Sequence, residues 1–147
     1  MSQNLTANGR AQIVFLTDPT DAEIGGIIAL YKEAGWWAPG TDNEELVRLL
    51  VAGSHCFAAA FSGGRMVGMG RAVSDRVSDA YIQDVTVTAA ERGRGLASEI
   101  VSALVDRLKG DGVAWIALVA ERGTSRFYTR LGFSPMPESV AMKLGSG

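Results

Sequence analysis

Between residues 80 and 109 the chain changes its periodicity once, abruptly, and that change dictates much of the fold. AYIQDVTVT (80–88) is rich in β-branched and aromatic residues, as a strand requires. LASEIVSALVDRLK (96–109) then places Leu96, Ile100, Leu104 and Leu108 four apart, with Ala97, Val101 and Val105 alongside, which is one apolar face of a helix. GDG stops that helix, and VAWIALVA (113–120) is a nearly continuous apolar run, the pattern of a strand buried on both faces. Strand, helix and strand in this order form a crossover, so the two strands must run parallel in one sheet.

The remaining text adds antiparallel neighbours to that unit. QIVFL (12–16) reads as a strand. A helix over about 21–34 follows, started by Asp18 or Thr20 and carrying Ile24, Ile27, Ile28 and Tyr31 on one face. Gly25 and Gly26 weaken it by roughly 1 kcal/mol each relative to alanine. After the loop GWWAPG, TDNEELVRLLVAG reads as a second helix closed by Gly53. HCFAAAF and RMVGMGRAV around SGG form a hairpin. TSRFYTRLG (124–132) is a short helix, and SVAMKL (139–144) is expected as a terminal edge strand. The expected architecture is α/β (α+β): a mixed, mostly antiparallel sheet with helices on both faces, in the order β-α-α-β-β-β-α-β-α-β. No repeat or linker divides the chain, so residues 1–147 are expected to form a single domain.

Composition narrows the function classes. The chain is 47% hydrophobic and 20% charged, which suits a folded globular domain. No apolar run approaches the ~18 residues of a membrane span. The opening MSQNLTANGRAQ lacks the charged-then-apolar order of a secretory signal. A single cysteine, Cys56, excludes an internal disulfide and is compatible with a reducing cytoplasm, the expected location. A net charge of −2 gives no support to nucleic-acid binding. The charge is uneven, however. Residues 1–91 carry 6 basic and 11 acidic side chains, and residues 92–147 carry 8 and 5, so an anion is better received by the second part.

The polarity changes at ERGRGLASE (91–99), where a helix begins. Free N–H groups at a helix start attract phosphate. Gly93 and Gly95 let the backbone approach an anion, and Arg92 and Arg94 can add charge-assisted bonds. A P-loop would need a lysine and then Ser or Thr after the glycines, and Gly95 is followed by Leu96-Ala97. A dinucleotide fingerprint would put its third glycine at Ser98. The run from Arg92 to Ala97, R-G-R-G-L-A, instead resembles the R/Q-x-x-G-x-G/A motif of the GNAT N-acetyltransferase superfamily. YIQDVTV resembles that superfamily's central strand, FYTRLGF (127–133) resembles its FYxxxGF signature, and the element order is similar along nearly the whole chain.

The resemblance implies an acetyl-CoA-dependent N-acetyltransferase acting on a primary amine; a small-molecule acceptor is expected, while amino acids, antibiotics and protein N-termini are acetylated on the same fold and the fold does not choose among them. The diphosphate of acetyl-CoA would be held by the loop at Arg92, Gly93, Arg94, Gly95, Leu96 and Ala97. The pantetheine arm would bond the strand backbone at Val85 and Val87. A central-strand amide at or near Val85 would stabilise the oxyanion. Tyr128 would be the general acid for the departing thiolate. Asp84 is the candidate base or ammonium ligand, with a structural ion pair to a neighbouring strand as the competing reading. Strict alternation puts Asp84 on the face opposite Gln83, Val85 and Val87. Tyr81 and Gln83 are secondary candidates for the role of Asp84, Gln83 is also expected to bind the acceptor, and Trp36 and Trp37 are expected to wall the acceptor pocket or to pack over the first helix. The chain departs from the family pattern at Glu121, where an asparagine often contacts the coenzyme, and at Thr124, where alanine is common.

Two alternatives stay open: an acyl-CoA-binding module of the same fold without efficient transfer, and a nicotinamide-nucleotide binder. His55 and Cys56 are adjacent on a strand and point to opposite faces, so they make no nucleophile pair, and one His with one Cys makes no metal set. No metal, nucleic-acid or membrane partner is expected. A homodimer through the C-terminal edge strand is consistent with the pattern.

Overall fold

The structure is a computed structural model describing residues 11–145. Most of the opening segment read above as lacking a secretory signal lies outside the described residues. Nine elements follow one another: β1 (Gln12–Phe15), α1 (Asp21–Glu33), α2 (Glu44–Gly53), β2 (Cys56–Ser62), β3 (Arg65–Ser74), β4 (Asp79–Val87), α3 (Leu96–Gly110), β5 (Trp115–Leu118) and α4 (Ser125–Arg130). The sheet order is β1-β2-β3-β4-β5. The first three pairings are antiparallel, and β4–β5 is the parallel pair that the crossover requires. Thr20, rather than Asp18, caps α1 through a reciprocal capping box with Glu23.

Two apolar layers sandwich the sheet. On one face α1 and α2 bury Ile24, Ile27 and Val47 against Phe57, Ala59 and Met69. On the other, α3 buries Ile100, Leu104 and Leu108 against Ala58, Ala60, Ala72 and Ile82. The alanines of β2 are small enough to leave room for a helix on each side. Under α3 the spacing is tighter still: a Cβ on Gly70 would sit 2.9 Å from Ile100 Cγ2 and 3.1 Å from both Leu104 and Val85.

Gly70 also faces the main irregularity of the sheet. Met69 pairs with Thr86 and Arg71 pairs with Gln83, so three steps on β4 match two on β3. Asp84 and Val85 together oppose Gly70 as a β-bulge, and Asp84 adopts a left-handed φ of 59°. The extra residue reverses the alternation. Ile82 before it and Val85 and Val87 after it all pack on the α3 face. Gln83, paired with Arg71, therefore lies on the α1 face with Asp84 and not with Val85 and Val87, contrary to strict alternation.

Two further expectations are corrected. The run 113–120 is not buried on both faces: β5 is four residues long, Trp115 is 41% exposed and Val119 is exposed, because α1 and α2 cover β1–β3 and stop short of β5. Residues 139–144 form no strand, and Val140, Met142 and Leu144 stand exposed, so the edge on which a homodimer was expected is not built. Ser134–Met136 lines the groove beside β5 instead, and Pro135 and Pro137 in this segment have no N–H to give to a ladder.

Replacing Gly70 with alanine should overpack the α3 interface and cost about 1–3 kcal/mol. Thermal unfolding should show a midpoint lowered by several degrees. An unchanged midpoint would mean that α3 is free to move away from the sheet.

Candidate active site

The loop after β4 has the form of a candidate anion cradle. A 3-10 turn at Ala89–Glu91 follows Thr88, and its first amide, Ala89 N, donates to Glu33 Oε1 at the end of α1. Gly93 and Gly95 then both take left-handed φ values, 79° and 80°. No atom lies within 4 Å of where their Cβ atoms would be, so backbone conformation rather than crowding requires glycine here. Gly95 is the N-cap of α3 and supplies no side-chain cap. Among the described residues the amides of Leu96, Ala97 and Ser98 have no partner, and the first helical bond runs from Glu99 N to Gly95 O. These free donors open on a cavity of about 390 Å³ that Phe127 and Arg130 of α4 also line. Arg130 brings a cation that the loop itself does not supply. Arg92 turns back and donates from Nε to Val87 O at 3.0 Å, while Arg94 approaches Glu91 at 3.5 Å. The Val87 carbonyl thus already has one donor before any ligand arrives.

Beside the cradle the sheet splits. The β4–β5 ladder runs from Asp79↔Trp115 to Ile82↔Leu118 and ends there. Residues 83–87 continue with no β5 partner on that edge, so the backbone of Val85 and Val87 borders a gap between diverging strands.

Asp84 sits at the same point on the opposite face. Its Oδ2 accepts from Arg71 Nε at 2.7 Å and from Tyr31 Oη at 2.8 Å. Among the described residues no donor reaches Oδ1. The side chain is 25% exposed, whereas that of Arg71 is 12% exposed. Burial first, and then the charge of Asp84, raises the Tyr31 pKa well above the ordinary phenol value, so Tyr31 stays a donor. The ion pair to a neighbouring strand is therefore real, and it leaves one carboxylate oxygen available.

Trp37 stacks on Tyr31 with centroids 4.2 Å apart and planes 8° from parallel, and Trp36 meets the same ring edge-on at 6.0 Å. Both tryptophan amides donate to Tyr31 O. Trp37 packs into the α1 layer, and the exposed Trp36 is the one left facing solvent. Tyr81 and Trp115 form a second exposed aromatic pair, edge-to-face at 5.3 Å, on the uncovered face of β4 and β5.

Tyr128 is half-buried between Phe127 at 4.9 Å and Phe133 at 5.9 Å. Burial first, and then the nearby Glu121 carboxylate, raises its pKa above the ordinary phenol value. The residue that replaces the family's asparagine thus helps keep Tyr128 protonated. Thr124 fixes the turn ahead of α4 by donating from its hydroxyl to Glu121 O at 2.7 Å. Tyr128 lines the groove of about 440 Å³ beside β5, whereas its neighbour Phe127 lines the cradle. Asp84 lines neither of these two cavities.

His55 is engaged elsewhere, to Ser74 Oγ and to Asp111 at 2.9 Å. Burial pushes the Cys56 thiol up to about 11. Among the described residues no cluster of His, Cys, Asp or Glu suits a metal, and no helix is long and apolar enough to cross a membrane.

Residues 15–133 match the Acetyltransferase (GNAT) family. The chain belongs to this family. Its GNAT relatives include serotonin N-acetyltransferase 2, chloroplastic, of Oryza sativa subsp. japonica, 33% identical over 82% of this chain and 61% of that protein. Histone acetyltransferase TAP1 of Glycine max is 27% identical over 90% and 61%. The chain spans about three-fifths of the length of these relatives. Among solved structures, a GNAT-family acetyltransferase of Streptococcus pneumoniae superposes with a TM-score of 0.76 at 20% identity, covering 92% of this chain and 98% of that one, which shows the shared fold.

Sequence reading missed four residues of the candidate site of this GNAT chain: Tyr31, Arg71, Phe127 and Arg130. Arg71 left a signal, because a cation inside the apolar run RMVGMGRAV needs a buried partner. Tyr31 and Phe127 looked like core, and nothing in the spacing of Arg130 tied it to a loop 35 residues earlier. Substituting Gly95 by alanine should force an L-residue into the left-handed region at a cost of about 1–2 kcal/mol. Titration should also show weaker CoA binding, and unchanged CoA affinity would remove the loop from the anion site.

Proposed function

We propose that this protein is an N-acetyltransferase that uses acetyl-CoA and a primary amine. The observation that carries the reading is the end of the β4–β5 ladder at Ile82–Leu118, beside a loop whose amides are free. An amide-bearing arm can add to such an edge as a strand does, with its diphosphate at the helix start. The donor set fits: free amides at 96–98, left-handed Gly93 and Gly95, and Arg130 at the cavity rim. Acetyl-CoA supplies an activated thioester. The rest falls to the chain's own residues.

The Val85 backbone borders the gap and offers a donor for developing oxyanion charge. Asp84 Oδ1 is free to hold the ammonium or to take its proton, while Arg71 and Tyr31 fix Oδ2. Tyr128 holds a proton on Oη through the neutral range and can deliver it to a thiolate.

The test begins with thermal unfolding. Acetyl-CoA and CoA should each raise the midpoint, by about 2.7 kcal/mol of stability at a hundredfold excess over Kd, and NADH should not. A response to NADH alone would favour the nicotinamide reading. Tyr128→Phe should lower kcat by roughly 10²–10⁴ with little change in CoA affinity. Equal loss of both would sink the acid assignment, and CoA binding without transfer to any amine would leave the binding-module reading. With its pKa raised, Tyr128 should cause no alkaline fall in kcat below about pH 10. A fall that survives in Tyr128→Phe belongs to another group.

A further inference from the structure

Resting on the transferase reading, the geometry points to the class of amine: we propose that the acceptor carries an aromatic body, with its ammonium at Asp84 Oδ1 and its ring over Tyr81 and Trp115. Tyr81 and Asp84 share the α1 face of β4. Ala80 and Ile82 pack towards α3, so Tyr81 points away from it, and Asp84 reaches Tyr31 on α1. Three residue steps along the strand separate their Cα atoms, about 10 Å at ~3.3 Å per residue and less across the bulge. That distance suits an amine joined to a ring by a short chain.

Gln83 stands between these points on the same face, and the aromatic floor lies at Tyr81 and beyond it, away from Asp84. Trp115 meets Tyr81 edge-to-face, and Ala117, directly opposite Tyr81 in the ladder, adds no bulk. α1 and α2 end over β3, so neither ring is covered: Tyr81 is 46% exposed and Trp115 is 41% exposed. Two large rings held against each other in solvent on a sheet face offer both a ring face and a ring edge to a third ring.

Charge alone cannot supply the selectivity. Arg71 already neutralises Asp84 at 2.7 Å, so an ammonium gains little from the carboxylate's net field and gains mainly the hydrogen bond at Oδ1. A polycation would gain nothing from its further charges beside Arg71. Discrimination among amines is therefore left to the apolar body, and the surface that reads it, past Gln83, is aromatic.

The experiment measures CoA thiol release by the full chain with 2-phenylethylamine, tryptamine, n-butylamine and putrescine. Both arylethylamines should exceed n-butylamine in kcat/KM by about tenfold, the ratio that 1.4 kcal/mol of ring contact gives. The Tyr81→Ala/Trp115→Ala double variant should lose that tenfold through KM for the arylethylamines. It should keep its thermal shift with acetyl-CoA, which shows that it still folds, and should lose far less kcat/KM for n-butylamine than for the arylethylamines. Tyr81→Phe should keep the preference, since the phenol oxygen makes no bond among the described residues. Equal kcat/KM for aryl and alkyl amines would overturn the aromatic assignment and leave the transferase reading standing. So would a loss in the double variant shared by all amines. No release with any amine would sink both.

Discussion

Arg71 and Asp84 meet across two neighbouring strands at 2.7 Å, and much of the molecule is arranged around that contact. Asp84 reaches it only because β4 carries one residue more than β3 at this point. The same extra residue turns Val85 and Val87 towards α3. It also coincides with the place where β4 parts from β5. One local insertion thus yields a held carboxylate on one face of the sheet and a strand edge without a partner at its margin. Tyr31 locks the arrangement from α1, and the stacked Trp37 fixes Tyr31 in turn.

The bulge needs room, and glycine provides it. Gly70 stands opposite the doubled residues and beneath Ile100, where any side chain would collide with α3. The helix whose first amides stand free in the proposed cradle is the helix that Gly70 allows to lie so close. The position of the cradle relative to the carboxylate is set by this packing rather than by the loop that connects them.

The elements were legible in the sequence wherever one period ran long enough. Leu96 to Leu108 announced α3, and the double glycine at 63–64 announced the hairpin, whereas the left-handed conformations of Gly93 and Gly95 came only with the structure. Irregularity was not legible. Nothing in YIQDVTV marks residue 84 as the point where alternation reverses, because the cause is Gly70 on another strand. The run at 113–120 looked doubly buried because hydropathy cannot report how far α1 and α2 extend, and SVAMKL has a strand's pattern without a strand's partner. At the site, the sequence offered Asp84 and Tyr128 but not their surroundings: Arg71 and Tyr31 around one, and Glu121 acting on the other.

The buried thiol carries a practical consequence. Cys56 is the chain's only cysteine, it lies in the α3 layer, and burial holds its proton on well past neutrality. Disulfide reagents and maleimides react with thiolates, so the folded protein presents them with almost no target. Any thiol that appears in a reaction mixture comes from the small molecules present. A cysteine introduced at an exposed position would be the one reactive handle on the surface, ready for a fluorophore without first removing the native residue.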